Sequence, residues 1–170
     1  IDNEIATLAI TSGGNVVIDD NSGGIVLNAS TVSGTLDVTT AGTITQGGAL
    51  SVNAGTATFD AGGTTATTND ITLDNSANTF STVVVTQGGN VVIDDADNVT
   101  LGAITAGGTL LVDVDNGSIT GTQTIAVTGA ATFETGGTVA VTNDISLTGA
   151  GNNFASVAIT NGGDVTLVDT

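Results

Sequence analysis

The chain has 170 residues, of which 17 are acidic and none is Lys, Arg or His, so its formal net charge is −17. Cys, Met, Trp, Tyr and Pro are absent as well. Without His, Cys, Lys or Tyr, the usual general bases, thiolate nucleophiles and Schiff-base amines are missing, and zinc sites built from Cys and His are excluded. The composition argues against an enzyme. The negative charge argues against binding to nucleic acid backbones and against insertion into anionic membranes.

Apolar content favours a folded chain over an acidic disordered one. Hydrophobic residues make up 39% of the chain and charged residues only 10%, whereas disordered acidic segments are poor in Val, Ile and Leu. No apolar run approaches the ~20 residues of a membrane helix. The sequence begins with neither an initiator Met nor a signal peptide, so we expect an internal segment or a processed product of a longer protein.

Taken in chain order, the sequence consists of short segments in which apolar residues alternate with polar ones. This period of two is typical of β-strands that bury one face. The inward residues of the first six predicted strands are Leu8 and Ile10, Val16 and Ile18, Ile25 and Leu27, Leu36 and Val38, Leu50 and Val52, and Ala57 and Phe59. The 25 glycines interrupt any helical stripe.

Pairs of glycines separate these strands. They stand at positions 13–14, 23–24, 47–48, 62–63, 88–89, 107–108, 136–137 and 162–163. Glycine tolerates the positive φ angles of tight corners, so we expect the chain to turn there. The pairs Asn69-Asp70 and Asn143-Asp144 fit the same role.

A long internal repeat organises the whole chain. The segment 69–95 returns at 143–169, and the segment 86–95 has already appeared at 11–20 with one change, which gives offsets of 74 and 75 residues. Similar strand starts at Val16, Thr35, Leu50, Ile71 and Val91 divide the repeat into four steps. We therefore predict an all-β fold, a parallel β-helix (β-solenoid) of about nine coils. It forms one continuous domain over 1–170, with repeat copies at about 16–90 and 91–164.

Repeat-matched positions support this stacking. The four phenylalanines fall two per repeat, with Phe59 matching Phe133 and Phe80 matching Phe154, and we expect these rings to fill corners of a narrow core. A departure occurs where Thr65 and Thr67 stand in place of Val139 and Val141. Buried hydroxyls would need hydrogen-bond partners, so this strand is expected to be only partly buried.

Three segments carry a family resemblance: GTITQGGALSVNAGTATFDAGG (42–63), NDITLDNSANTF (69–80) and GGNVVIDDADNVTLGAIT (88–105). Their order resembles the long repeat arrays of filamentous-haemagglutinin-like bacterial surface proteins of the two-partner-secretion adhesin type. The resemblance covers nearly the whole chain. It implies a right-handed parallel β-helix, secretion across an outer membrane, and a role as an adhesin or matrix fibre.

Clustered aspartates are the main candidate for a binding site. They are Asp19 with Asp20, Asp94 and Asp95 with Asp97, and Asp113 with Asp115. Such oxygen-rich clusters can hold calcium, but solvated turn acids that keep strand edges from sticking explain the pattern better. We therefore assign no catalytic, cofactor-binding or metal-ligating residue, and leave calcium as an open possibility.

Alternating threonines, as in Thr43-Ile44-Thr45 and Thr56-Ala57-Thr58, are the pattern of ice-binding solenoids. Because threonine is not kept at one position in every predicted coil, we expect no ice-binding face.

The preferred function is a non-enzymatic, extracellular or cell-surface fibre segment, the stalk or filament body of a bacterial adhesin or matrix protein. Its expected partners are further copies of itself, end to end, or neighbouring repeats, and a host surface or matrix polysaccharide. The alternative is a calcium- or glycan-binding module that uses one lateral face of the solenoid. A β-helix polysaccharide lyase or hydrolase is disfavoured because it would need a basic partner or an acid pair in a cleft.

Overall fold

The computed structural model of the protein describes residues 4–62, 68–136 and 142–170. These residues form 17 β-strands and no helix, and every strand pairing is parallel. The strands are β1 (Thr7–Leu8), β2 (Val16–Asp20), β3 (Ile25–Leu27), β4 (Ser30–Thr31), β5 (Leu36–Thr40), β6 (Ile44–Gln46), β7 (Leu50–Asp60), β8 (Ile71–Leu73), β9 (Thr79–Gly88), β10 (Val91–Asp95), β11 (Val99–Ala106), β12 (Leu110–Val114), β13 (Ile119–Gly121), β14 (Ile125–Thr135), β15 (Ile145–Leu147), β16 (Asn153–Asn161) and β17 (Val165–Leu167). The predicted all-β, parallel, repeat-based architecture is confirmed.

Strand registers arrange the chain in two main columns. The first column stacks β1, β3, β6, β8, β10, β12, and the second halves of β14 and β16. The second column stacks β2, β5, the second halves of β7 and β9, the start of β11, and then β13, β15 and β17. The chain visits the columns alternately, so the described residues give eight levels in each, as expected of a β-solenoid-like stack.

Equivalent residues of the two repeat copies lie in different columns. Val16 pairs with Leu36 in the second column, whereas its repeat equivalent Val91 pairs with Ile71 and Leu110 in the first. One repeat therefore spans three and a half levels instead of the expected four. The expected step from the strand at Leu36 to the strand at Leu50 is wrong.

The pairing around Leu50 explains this difference. Leu50 lies opposite Ser30 in a short third row of strands, and the partner that follows Leu36 is Ala57. Both segments alternate apolar and polar residues in the same way, so periodicity alone does not distinguish a main column from the short row.

The core lies between the two columns and is filled by inward side chains of strands from β3 to β16, whereas the three residues of β17 are exposed. Ile25, Leu27, Leu36 and Val38, which the alternation places inward, are all buried. The phenylalanines are buried as predicted and pack edge to face in two pairs. Ring centroids lie 6.2 Å apart between Phe59 and Phe80, and 6.0 Å apart between Phe133 and Phe154, a geometry that aromatic quadrupoles favour.

Glycine occupies these paired positions because neighbouring levels approach closely there, and not because the backbone needs a positive φ. A Cβ atom on Gly24 would lie 2.7 Å from the carbonyl oxygen of Thr43, and one on Gly48 would lie 2.7 Å from the amide nitrogen of Ala29. Neither glycine adopts a φ in the left-handed region, so the expected positive φ is wrong at these two corners. Glycine is required there because the backbone of a neighbouring level occupies the space of a side chain.

The expectation for the strand with Thr65 and Thr67, matched by Val139 and Val141, lies outside the described residues.

Candidate functional site

Four carboxylates form a row along the outer surface of the first column, which we call the acidic row. Asp94 on β10 lies opposite Asp113 on β12, and Asp113 lies opposite Glu134 on β14. Asp74 follows Leu73, which pairs with Ile93 immediately before Asp94. Four successive levels thus each contribute one acid, and the chain contains no Lys, Arg or His to balance them.

Burial and like charge make this row unfavourable at neutral pH. Burial raises the pKa of Asp94 to about 6, and the negative charges of Asp113, Asp115 and Asp74 add to the effect. Burial also raises the pKa of Asp113, as do Glu134 and Asp115. The Oδ1 atom of Asp94 is buried and has no hydrogen-bond partner. Low solvation and neighbouring carboxylates both disfavour ionisation.

The candidate acids were grouped by their closeness along the chain, whereas in the structure the strand register decides which acids lie side by side. It brings Asp94 and Asp113 together but places Asp19 in the other column, opposite Thr39, which in turn faces Asp60. Three of the four acids of the acidic row, Asp94, Asp113 and Glu134, belong to the second repeat copy, and the row is not visible in the sequence because Glu134 is 40 residues from Asp94.

Asp95 has a structural role. It is fully buried, its Oδ2 accepts a hydrogen bond of 2.7 Å from the Phe80 amide, and its Oδ1 accepts one of 3.0 Å from the Asp97 amide. Burial raises the pKa of Asp95 to about 7, although these two amide donors lower it.

The same contact recurs in each copy of the repeat. Asp20 accepts a hydrogen bond from the Ile5 amide at 3.3 Å, and Asp169 accepts one from the Phe154 amide at 3.0 Å, in each case 15 residues back along the chain. Asp20 is also buried. The expectation that the aspartate pairs are solvated turn acids is therefore wrong for Asp20 and Asp95, which satisfy backbone donors of the preceding level.

Two buried asparagines, missed by the sequence analysis, join neighbouring levels. Asn78 is fully buried, and its Oδ1 accepts from the amide of Leu50 at 2.9 Å while its Nδ2 donates to the carbonyl of Asp94 at 3.0 Å. Asn152 repeats this arrangement, with the Ile125 amide at 2.9 Å and the Val168 carbonyl at 3.0 Å. The sequence contains a signal that could have identified these asparagines, because each precedes a repeat-matched phenylalanine by two positions.

Short polar side chains at the corners link each level to the next. Asp70 Oδ1 accepts from the Asn90 amide at 2.8 Å, and Asn90 Oδ1 accepts from the Thr109 amide at 3.0 Å. On another corner Asp144 Oδ1 accepts from the Asp164 amide at 2.9 Å. The predicted corner role of the Asn-Asp pairs is confirmed at Asp70 and Asp144.

A row of hydroxyl groups follows the outer face of the second column. The residues in register are Thr56, Thr82, Thr100, Thr120, Ser146 and Thr166. The hydroxyl oxygens of Thr100 and Thr120 lie 3.2 Å apart. The row covers six of the eight levels and includes one serine, so it does not contradict the expectation that threonine is not kept at one position in every coil.

The arrangement offers little for catalysis or metal binding in the described part of the chain. Among these residues, no group of three or more acidic side chains is placed to hold a metal ion. A surface recess of about 220 Å³ is lined by Asn53, Phe80, Ser81, Asp97 and Asn98; its one carboxylate does not make an acid pair. The described ranges also contain no helix that is long and apolar enough to cross a membrane.

Comparison with known proteins agrees with this repeat geometry. Residues 13–87 and 88–161 each match a family model described as repeats of unknown function (DUF5649). The chain belongs to the DUF5649 repeat family. Neither a curated protein nor a solved structure matches the chain. The second DUF5649 match starts 75 residues after the first, so one family repeat corresponds to three and a half levels of the stack.

Proposed function

We propose that this chain is a segment of a non-enzymatic, extracellular structural or adhesive fibre, the stalk or filament body of a bacterial surface or matrix protein. The observation that supports this most directly is the continuous parallel stack of eight levels in two columns. Its backbone hydrogen bonds run along the stack and its apolar core extends from Ile25 to Phe154. Such a stack resists bending and can be lengthened by adding repeats without changing its cross-section.

The handedness and the length of the stack are part of the same proposal. The two columns close into a right-handed β-helix, as the strong preference for right-handed parallel crossovers favours. With ~4.8 Å between neighbouring strands, eight levels give a rod about 38 Å long. This is about one level shorter than the expectation of nine coils.

Charge supports an exposed setting with no nucleic acid partner and no membrane insertion. Seventeen acids without one cation keep rods soluble, repel phosphate backbones and oppose lateral collapse. The chain also offers trypsin no Lys or Arg to cleave after. These properties suit a fibre on a bacterial surface, in contact with a host surface or matrix polysaccharide, as in the filamentous-haemagglutinin-like proteins that the repeats resemble.

Surface display of the parent protein tests this proposal. Antibodies raised against the chain should label intact cells of the source organism by immunogold electron microscopy, and proteinase K treatment of intact cells should remove the label. Trypsin should leave the epitopes of this segment uncut, which makes it the matched control. Labelling that appears only after the cells are permeabilised would contradict an extracellular role.

The acidic row supports a second candidate, a lateral face that binds calcium. The carboxylates of Asp94 and Asp113 lie in register, and a divalent cation between them would relieve their repulsion. A glycan-binding face has less support, because three of the four phenylalanines that could stack on sugars are almost completely buried. Millimolar calcium should raise the melting temperature of the native chain more than that of an Asp113→Asn variant; equal shifts would dismiss this candidate.

A further inference from the structure

Two asparagines of the chain, Asn116 and Asn161, are followed by glycine. Asparagine is a thermolabile residue, because the backbone nitrogen of the next residue can attack its side-chain carboxamide. Glycine in the next position makes this attack easiest, since it has no side chain to hinder the approach and its backbone rotates most freely. The local structure then decides which of the two sites reacts.

Asn116 lies in an exposed turn. The turn connects β12 to β13, and both Asp115 and Asn116 are exposed. The Asn116 carboxamide makes no hydrogen bond with a described residue, whereas the Oδ1 of Asn98, in the same corner of the neighbouring level, accepts a hydrogen bond of 2.8 Å from the Ser118 amide. The Asn116 side chain is therefore not held away from the nitrogen that follows it.

Asn161, in contrast, lies in a strand. It is the last residue of β16 and pairs with Glu134 of β14. Its carbonyl oxygen accepts a hydrogen bond of 3.4 Å from Thr135 Oγ1. A Cβ atom on Gly162 would lie 3.1 Å from Ile145 Cδ1, so Gly162 faces packed side chains. Strand pairing and packing hold the backbone extended and keep the Gly162 nitrogen from turning towards the carboxamide.

Other asparagines in turns have carboxamides that are fixed by hydrogen bonds. Asn75 Oδ1 accepts from the Ala77 amide at 3.1 Å. Asn69 Nδ2 donates to the carbonyl oxygens of Ala41 at 2.9 Å and Ala61 at 2.8 Å. Neither asparagine is followed by glycine. Asn116 thus combines an unrestrained carboxamide, an exposed turn and a following glycine.

We propose that Asn116 is a modification site, at which the folded chain undergoes spontaneous deamidation. The Gly117 amide nitrogen gives up its proton to solvent base and forms a bond to Asn116 Cγ, and the carboxamide nitrogen takes up a proton and leaves as ammonia. Water then opens the resulting succinimide ring. Opening at the side-chain carbonyl gives aspartate, and opening at the main-chain carbonyl gives isoaspartate, in which the β-carbon has become part of the backbone. Both products add one negative charge.

The corner has no room for the longer backbone of isoaspartate. A Cβ atom on Gly117 would overlap the Asn98 amide nitrogen and lie 2.5 Å from the Asp97 carbonyl carbon, so the turn packs directly on the neighbouring level. The Val99 amide donates a hydrogen bond of 3.1 Å to the Ser118 carbonyl immediately beyond the turn. Isoaspartate at position 116 displaces these contacts, and the modified chain unfolds at a lower temperature.

Peptide mapping of the aged native chain tests the site. After incubation at mildly alkaline pH, chymotryptic digestion of the denatured product should give peptides 112–133 and 155–167, in which Asn116 and Asn161 are the only asparagines. By mass spectrometry, Asn116 should convert at least about tenfold faster than Asn161, because local order protects the second site. The control is the same incubation in urea that unfolds the chain, where the two rates should become similar.

An Asn116→Gln variant tests the effect on the stack, since glutamine would have to close a larger and less favourable ring. Over the same incubation the native chain and an Asn161→Gln variant should lose melting temperature, whereas Asn116→Gln should keep it. Equal conversion of Asn116 and Asn161 in the folded chain, or conversion of Asn116 only in urea, would overturn the site. An equal loss of melting temperature in Asn116→Gln and the native chain would overturn its effect on the stack.

Discussion

Asp94 and Asp113 lie directly opposite each other on the neighbouring strands β10 and β12, although 19 residues separate them in the chain. Like charges opposite each other in a sheet are destabilising. The repeat equivalents of this pair are Asp19 and Thr39, which also face each other. The second repeat copy therefore has a charge repulsion at a place where the first copy has none.

The raised pKa values of Asp94 and Asp95 predict that the protein becomes more stable as the pH is lowered from 7 to about 4. The pKa of Asp94 is raised from 3.8 to about 6 and that of Asp95 to about 7, so the folded chain binds protons more tightly than the unfolded chain. Stability is then greatest near pH 4 and is lost as the pH rises towards 7. Thermal unfolding followed by circular dichroism should show a melting temperature that increases from pH 7 to pH 4.5.

An Asp94→Asn variant isolates the acidic row from general charge repulsion. It should melt at a higher temperature than the native chain at pH 7 and depend less on pH. The matched control is Asp37→Asn, which removes the same charge at a position that faces Val17 and Thr58 instead of acids. Equal gains from both variants would show that net charge, and not the acidic row, sets the pH dependence.

Asn78 should be among the most sensitive polar positions. Replacing it by alanine leaves the buried Leu50 amide and the Asp94 carbonyl without their partners. Each unsatisfied buried group costs about 1–3 kcal/mol, so Asn78→Ala should lower the free energy of unfolding by at least about 2 kcal/mol in urea titrations. The exposed Asn53 is the control, and its replacement should cost less than about 0.5 kcal/mol. Similar losses at both positions would contradict the assigned role of Asn78.

Two glycine-to-alanine substitutions should change stability in opposite directions. A Cβ on Gly42 would lie 2.5 Å from the Gly24 nitrogen and 2.6 Å from the Gly23 carbonyl carbon, whereas a Cβ on Gly14 would meet nothing within 4 Å. Gly42→Ala should therefore destabilise the protein by more than about 1 kcal/mol. Gly14→Ala should stabilise it by up to about 1 kcal/mol, because alanine reduces the entropy of the unfolded chain. Urea unfolding of both variants tests the close approach between levels; a neutral Gly42→Ala would contradict it.

Much of the fold could be predicted because strand alternation is a local property. The apolar residues of β3 and β5, and the repeat-matched Phe59 and Phe133, are buried as the pattern indicated. The register could not be predicted with the same success. Leu36 and Leu50 stand in equally alternating segments, and only the three-dimensional path of the chain decides that Leu36 faces Ala57.

The candidate site was less accessible to sequence reasoning for the same reason. Adjacent strand residues point to opposite faces, so Asp94 and Asp95, neighbours in the sequence, have different environments. Asp95 is fully buried and accepts two backbone hydrogen bonds, and Asp94 joins the acidic row. Assigning acids to the row requires the register, which the repeat period alone leaves undetermined.

The strand register produces two columns and three and a half levels per repeat. A pair of double-cysteine variants tests this register most directly. The outward positions of Asp37 and Thr58 face each other on neighbouring strands, within the Cα separation that a disulfide spans. Stacking of the Leu36 and Leu50 segments would instead place Asp37 opposite Ser51. After mild oxidation and thiol alkylation, intact mass should show a disulfide in Asp37→Cys/Thr58→Cys and free thiols in Asp37→Cys/Ser51→Cys. A disulfide in the second variant and none in the first would contradict the account.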